Sequence, residues 1–462
     1  MARLSVGEAA QAVGGRVTAG DLRAMIDGAA IDSRAVRGGE VFFAFGGART
    51  DGHRFVADAL ARGAAAAMVQ DDVARPPSGA LIRVDDTFTA LHDLARFVRA
   101  KTPERLAGIT GSAGKTTTKE LLGAILASRF RTAWTPGNLN NLYGFPLSLL
   151  NVPDGTQWMV AEMGMSMPGE LWQLSLLGCP DAAIFTVVRP VHLEFFGSVQ
   201  AIAEAKSELL AGLRPGGFIV ANADDPEVTR IARRHGGRVV WYGLGAEHAE
   251  AVEVSARHIA PEPDGGVGSR FTLEAGGRSA EVRLPLHGLY NVENCVAAAA
   301  CAWALDIPLD EIAAAVGTVK PAAMRGVVHR TDRGFIVVDD SYNSNPDAVG
   351  KALESAAAFP AARRIALLGD MLELGPEGPR FHREARERAA ELGFTVVGVG
   401  ELSREMAADV WLPDAAAAAD WAAAEVRGGD VVLVKGSRGI GLDRVVRRLL
   451  GAIDAGEAEG TH

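Results

Sequence analysis

The densest chemistry in this sequence lies in LAGITGSAGKTTTKELLGAIL, residues 106–126. A short apolar run feeds Gly111-Ser112-Ala113-Gly114-Lys115-Thr116-Thr117, and an amphipathic helical pattern follows. Backbone N–H groups of such a loop, with a helix N-terminus behind it, suit phosphate oxygens. Lys115 would reach the β- and γ-phosphates, and the Thr116 hydroxyl would bind Mg2+. The strict pattern GxxxxGK[ST] asks for glycine at 109, where this chain carries Ile109. The strand–loop–helix context nevertheless favours nucleotide binding over an ordinary glycine turn.

Other candidates are weaker one by one. Glu162 ends the run WMVAE, and His192 sits in VVRPVHLEFFG after another apolar run. Strand ends of open α/β sheets collect ligands, and Mg2+ needs oxygen donors beside phosphates. Lys206, in AIAEAKSELLAGL, is either a surface lysine between Glu204 and Glu208 or an amine with chemistry to do. Only seven of the 47 basic residues are lysines, which favours amine chemistry at each. Asn291 and Asn294 stand i, i+3 at a helix start, as capping residues or as nucleotide contacts. Arg325, Asp340 and the run Ser341-Tyr342-Asn343-Ser344-Asn345 gather about another strand end, too polar for a plain turn. GSRGIG (436–441) is not a GxGxxG and by itself points to nothing.

The elements that must position these groups follow a rhythm. With 462 residues, and roughly 150 per domain, about three domains are expected. Residues 1 to about 98 alternate β runs (29–32, 40–45, 64–69, 81–84) with helical patterns, one of them over 53–63. From Leu106 the strand–helix alternation of a parallel sheet continues through 158–164, 181–188, 217–225 and 238–243. Between 250 and 285 turn-broken runs predict antiparallel strands, and an Ala-rich helix follows over 292–304. A second parallel α/β unit starts near Lys320–Pro321, with strands at 335–340, 364–370, 394–400 and 430–436 and an Ala-rich helix over 414–426. The expected fold class is α/β in three domains, at 1–101, 102–320 and 321–462. The central one combines a parallel sheet with a small antiparallel sheet.

Composition narrows the partners. Net charge is −10 and no basic patch interleaves with aromatics, which argues against nucleic acid. Three cysteines without a CxxC pair argue against a disulfide scaffold or a zinc ribbon. No apolar run reaches membrane-spanning length, and MARLSVGEAAQAVGG has none of the marks of a signal peptide. A cytoplasmic protein without membrane insertion is expected.

GSAGKTTTKE, TPGNLNN, AEMGMSMPGEL, HLEFFGS, AKSEL, HGLYNVEN, DDSYNSNPD, LGDMLELG and KGSRG occur in one order along the chain. Together they closely resemble the Mur ligases of peptidoglycan synthesis, over almost the whole length. DDSYNSNP and LGDMLELG resemble the branch that adds D-alanyl-D-alanine, and DSRAVRGGEVFFAFGGARTDGHRFVADALARGA its UDP-sugar domain. The resemblance implies an N-terminal UDP-MurNAc-peptide domain, a central ATP-binding domain and a C-terminal Rossmann-like domain. The implied reaction is ATP-dependent amide formation between UDP-N-acetylmuramoyl-tripeptide and D-alanyl-D-alanine, through an acyl phosphate, by a monomer.

Carried over by motif, Lys115 and residues 111–117 form the ATP phosphate loop, with Thr116 on the first Mg2+. Glu162 and His192 match ligands of the metal system, and Lys206 the lysine that the family carries as a carbamate. Asn291 and Asn294 match nucleotide contacts, Arg325 a γ-phosphate contact from across the domains, and Asp340 a ribose contact. Ser33 and Arg34 match the uridine-nucleotide site, while Asn138, Tyr342, Asn343 and Asn345 belong to segments that face substrate. One departure stands out: TVVRPVH places Val187 and Arg189 where relatives commonly have Asn and Gly. Among rivals, a folylpolyglutamate synthase-type ligase lacks the UDP-sugar domain that residues 1–98 resemble. A diaminopimelate-adding sister would show DNPR, which is absent here. A catalytically silent nucleotide-binding relative would tolerate loss of Lys206 and His192.

Overall fold

Short apolar runs bounded by glycine or polar turns form most of the parallel strands of this chain, as doubly covered sheets require. The computed structural model describes residues 3–47, 50–74, 77–191, 193–245, 252–263 and 266–451. Two compact units are traced. The first comprises Met1–Thr110, Arg129–Ile184 and Ala205–Ile219; the second comprises Gly111–Ser128, Phe185–Glu204 and Val220–His462.

In the first unit, β1 (Arg16–Ala19), β2 (Gly28–Ala30), β3 (Glu40–Phe43), β4 (Ala66–Val69) and β5 (Ala80–Arg83) form a sheet of order β1-β5-β4-β3-β2. Only β1 is antiparallel to its neighbour. Phe42, Val56, Leu60, Ala67 and Leu81 share its core. The helix expected over 53–63 is shorter, because its start is a 3-10 turn, Gly52–Phe55, capped by the Asp51 carboxylate; the α-helix runs Val56–Ala61. After helix α1 (Thr87–Lys101), the strands β6 (Arg105–Thr110), β7 (Thr132–Trp134), β8 (Trp158–Glu162) and β9 (Ala182–Phe185) follow in the order β7-β8-β6-β9. β8 is parallel to both β6 and β7.

In the second unit, helix α2 (Lys115–Ala127) and helix α3 (Val199–Ser207), the latter ending in the first unit, precede the run β10-β11-β12-β13-β14. These strands are β10 (Phe218–Asn222), β11 (Arg238–Gly243), β12 (Val254–Pro261), β13 (Ser269–Ala275) and β14 (Arg278–Leu284). The last three pair antiparallel, and every second residue of β13 is buried, as a half-covered strand requires. Helix α4 (Pro226–Arg233) follows β10, and helix α5 (Leu289–Ala304) packs against α2. Ala297, Ala298, Ala299 and Ala300 are fully buried in α5, where small side chains permit close helix approach. On α2, Leu121, Leu122, Ile125 and Leu126 are fully buried, contributing about 1.5–3 kcal/mol apiece.

The last sheet joins β15 (Val327–Arg330), β16 (Ile336–Asp339), β17 (Arg363–Gly369), β18 (Phe394–Val399), β19 (Val410–Leu412) and β20 (Asp430–Lys435) in the order β15-β16-β20-β17-β18-β19. Alternate residues feed two cores. Val338, Ala366, Leu368, Val396 and Leu433 lie on one face; Val337, Ile365, Leu367, Val397 and Val432 lie on the other. The sheet is parallel except for β15, an edge strand that the sequence did not announce. Its link to β16 turns through Thr331–Gly334, too short for a parallel crossover. Among the described residues no helix is long and apolar enough to cross a membrane.

Candidate functional site

The phosphate loop is held in shape by its own glycines and by the residues around it. Gly111 (φ +153°) and Gly114 (φ +84°) hold backbone conformations that side chains resist. A Cβ at Gly111 would lie 1.8 Å from Thr186 Oγ1, and one at Gly114 would lie 2.1 Å from Asn294 Oδ1. The loop rests on the segment after β9. Ser112 N–H donates to Val187 O (2.7 Å), and Thr186 Oγ1 donates to Ala113 O (2.6 Å). Arg189 N–H donates to Ser112 Oγ (2.9 Å), which donates in turn to Arg189 O (3.0 Å). Lys115 Nζ donates to Gly111 O at 2.8 Å, so the lysine closes over its own loop, and Thr116 is buried at the start of α2. Ile109, where the strict motif wants glycine, is a buried residue of β6 in register with Glu162. Strand conformation there needs no glycine.

Of the two readings open for Asn291 and Asn294, capping is not what they do. The N-cap of α5 is Gly288 and has no side-chain cap bond. Asn294 faces Gly114, while Asn291 Nδ2 donates to His287 O at 2.8 Å. At the other strand end, Asp340 Oδ2 accepts from Lys435 Nζ at 2.7 Å, and the same ammonium donates to Asn343 O at 2.9 Å. Lys435 is buried and braces the Ser341–Asn345 run. Sequence reading missed it, although the scarcity of lysine was a signal. Burial raises the neighbouring Asp339 carboxyl, opposed by the Ser341 hydroxyl and amide. Arg325 stacks on Tyr342, its guanidinium 4.0 Å from the ring centroid. Asn345 caps helix α6 (Pro346–Ala357), its Oδ1 accepting from Ala348 N–H.

Within the first unit, Glu162 ends β8, buried, with Oε1 accepting from Asn140 Nδ2 at 2.7 Å. Its amide donates to Thr135 Oγ1. The TPGNLNN segment therefore meets this carboxylate through Asn140, whereas Asn138 is exposed. Gly164 packs against the Asn140 amide. Lys206 is 3 % exposed, so it is no surface lysine. Glu204 bonds Arg230 and Arg234, and Glu208 accepts from the Gly169 and Trp172 amides. Ser33 is buried in a turn capped by Asp32, and exposed Arg34 folds onto Asp32 through two close contacts. The Arg34 guanidinium holds the Asp32 carboxyl below its ordinary value. His192 lies outside the described residues. Among the described residues no three His, Cys, Asp or Glu side chains form a metal-holding group.

Known proteins share this plan. Residues 25–99 match the model "Mur ligase family, catalytic domain", residues 109–302 the "Mur ligase middle domain" and residues 324–438 the "Mur ligase, glutamate ligase domain". The UDP-N-acetylmuramoyl-tripeptide–D-alanyl-D-alanine ligase of Bacillus subtilis is 33% identical over 92% of this chain and 93% of its own. Its namesake in Escherichia coli is 33% identical over 92% of this chain and 94% of its own. The crystal structure of MurF from Acinetobacter baumannii superposes with a TM-score of 0.85 at 28% identity, covering 97% of this chain and 99% of that one. MurF ligase from Thermotoga maritima in complex with ADP gives 0.80 at 29% identity, covering 92% and 97%. The chain belongs to the Mur ligase family, among its UDP-N-acetylmuramoyl-tripeptide–D-alanyl-D-alanine ligases.

Proposed function

We infer that this chain joins D-alanyl-D-alanine to UDP-N-acetylmuramoyl-tripeptide at the expense of ATP, in the cytoplasm. The observation that carries the nucleotide half is the loop 111–117, whose two positive-φ glycines face Thr186 and Asn294 with no room for a Cβ. The substrates follow from the family, whose named members span the same length. The division at 1–101, 102–320 and 321–462 is supported by the three matched ranges.

The residues fit the groups the family implies. The loop amides and Lys115 would hold the nucleotide phosphates, with Asn294, Asn291, Arg325 and Asp340 as further contacts. Thr116 and Glu162 offer the hydroxyl and carboxylate oxygens that Mg2+ prefers, and His192 is proposed with them. Mg2+ would neutralise charge on the transferring phosphoryl group. Burial of Lys206 supports its role as a carbamate, since an N-carboxylate there would offer Mg2+ an oxygen ligand inside the protein, which a surface lysine would not. The chain's own groups then supply positioning and charge neutralisation, the main terms in phosphoryl transfer. Ser33, Arg34, Asn138, Tyr342, Asn343 and Asn345 are proposed on the substrate side.

Phosphate release with UDP-N-acetylmuramoyl-tripeptide tests the assignment. It should require D-alanyl-D-alanine and stay weak with diaminopimelate, lysine or glutamate alone. Equal turnover with a single amino acid would overturn it.

A further inference from the structure

The segment Val187–Arg189 ends in an arginine that no assigned role uses. Its main chain exchanges two hydrogen bonds with Ser112 of the phosphate loop. Its guanidinium bridges two carboxylates: Asp225, which caps α4, and Asp347 in the first turn of α6, at 3.2 Å. Asp347 also faces Lys351 Nζ at 3.5 Å, and that ammonium bonds Glu293 Oε2 at 3.0 Å on α5. The residue after Glu293 is Asn294, whose amide lies against Gly114.

The path therefore closes on itself. It leaves the loop at Ser112, passes through Arg189, Asp347, Lys351 and Glu293, and returns at Gly114. Four alternating charges link α6, which carries the Asn345 cap and follows the Ser341–Asn345 run, to both ends of the glycine loop. Isolated exposed ion pairs contribute little, but these side chains are 21–30 % exposed and share partners in a chain. Pairs of this kind couple rather than add.

We propose that Arg189 is a positioning residue: it fixes Ser112 through its main chain and α6 through Asp347, so that the phosphate loop and α6 hold one register. The functional consequence rests on the loop binding ATP; the mechanical coupling does not. Full-length wild type, Arg189→Gln, Arg189→Lys and Asp347→Asn would be compared by amide hydrogen exchange without nucleotide, and by steady-state kinetics. Arg189→Gln and Asp347→Asn should each speed exchange on the order of ten-fold in both 112–117 and 348–351. Arg189→Lys should recover part of it. The KM for ATP should rise on the order of ten-fold in Asp347→Asn while kcat holds within about two-fold.

Asp347→Asn leaves the buried Asp225 paired, so it stays informative should Arg189→Gln fold poorly. Loosening confined to 348–351 in Asp347→Asn, with the loop at its wild-type rate, overturns the proposal. So does an unchanged KM, or a parallel fall in kcat and kcat/KM. If wild type shows no ligase activity, the assigned reaction fails, and the exchange data alone decide the coupling.

Discussion

Gly114→Ala isolates what the loop geometry contributes. Gly114 is the N-cap of α2 at φ +84°, a conformation that costs a residue with a Cβ roughly 1–2 kcal/mol. The new methyl would also lie 2.1 Å from Asn294 Oδ1 and 3.1 Å from its Cγ. The Asn294 amide must therefore turn away, and its proposed hydrogen bond to the nucleotide, worth about 1 kcal/mol, is lost. The sum is about 2–3 kcal/mol. The loop carries little of the core, so rearrangement of residues 111–114 relieves the strain more cheaply than unfolding does. The penalty then falls on nucleotide affinity, which should drop roughly 30- to 150-fold at 1.4 kcal/mol per factor of ten. Titration calorimetry with ATP or ADP measures it, with the melting temperature followed alongside. Gly441→Ala is the control: φ is +72° and a Cβ meets open space, so it should cost about 1 kcal/mol of stability and leave affinity unchanged. Gly114→Ala/Asn294→Ala should recover the steric part only if Asn294 itself adds little to binding. Near-wild-type affinity in Gly114→Ala would refute the reasoning, because the loop would then not be glycine-limited.

Three further outcomes are expected. Lys206→Ala should lower ligation by more than about a hundred-fold while ATP binding survives, with no recovery on adding bicarbonate; near-normal turnover would remove the carbamate role. Burial holds His287 below its ordinary value, and His92 likewise, so both are neutral in the native chain near pH 7. Because the folded pKa is depressed, stability should be full above about pH 6.5 and fall as the pH drops through the folded value. Melting curves of His287→Gln should show a shallower acid decline. Burial pushes the Cys295 and Cys301 thiols up to about 12, so at pH 8 only about one in ten thousand is thiolate. A thiol reagent should label half-buried Cys179 alone in the native chain and all three residues in denaturant; rapid native labelling of a second thiol contradicts the burial.

What the sequence disclosed was local. Gly111, Gly114, Lys115 and Thr116 lie within six positions, and a spacing rule reads them directly. The strands of the last sheet were legible because burial on both faces demands unbroken apolar runs. The two edge strands, Val327–Arg330 and Val410–Leu412, were not, since each is short and only half-buried. The partners were hidden for a different reason. Asn294 meets Gly114 only because an alanine-rich helix packs closely on α2, and Lys435 meets Asp340 across 95 positions of chain. Asn140 rather than Asn138 reaches Glu162 through a turn whose course TPGNLNN does not reveal. Arg189 was visible only as a departure, because its carboxylate partner stands 158 positions away.

Each charged group of the proposed nucleotide site has a partner within the chain, and this bears on how binding proceeds. Lys115 rests on Gly111 O, Arg325 on the Tyr342 ring, and Asp340 on Lys435. A bare ammonium or carboxylate held ready in a partly buried site would cost several kcal/mol in lost hydration. An interim partner within the protein lowers that cost. Binding then becomes an exchange of partners: Lys115 trades a carbonyl for phosphate, and Arg325 trades an aromatic face for an anion. The loop backbone need not move for either trade, because Val187, Thr186 and Asn294 already define its path. Preorganisation thus resides in the glycines and their neighbours, and adaptability in the long cations. Variants of the two classes should separate accordingly, the glycine changes weakening affinity at all salt concentrations and the cation changes showing a marked salt dependence.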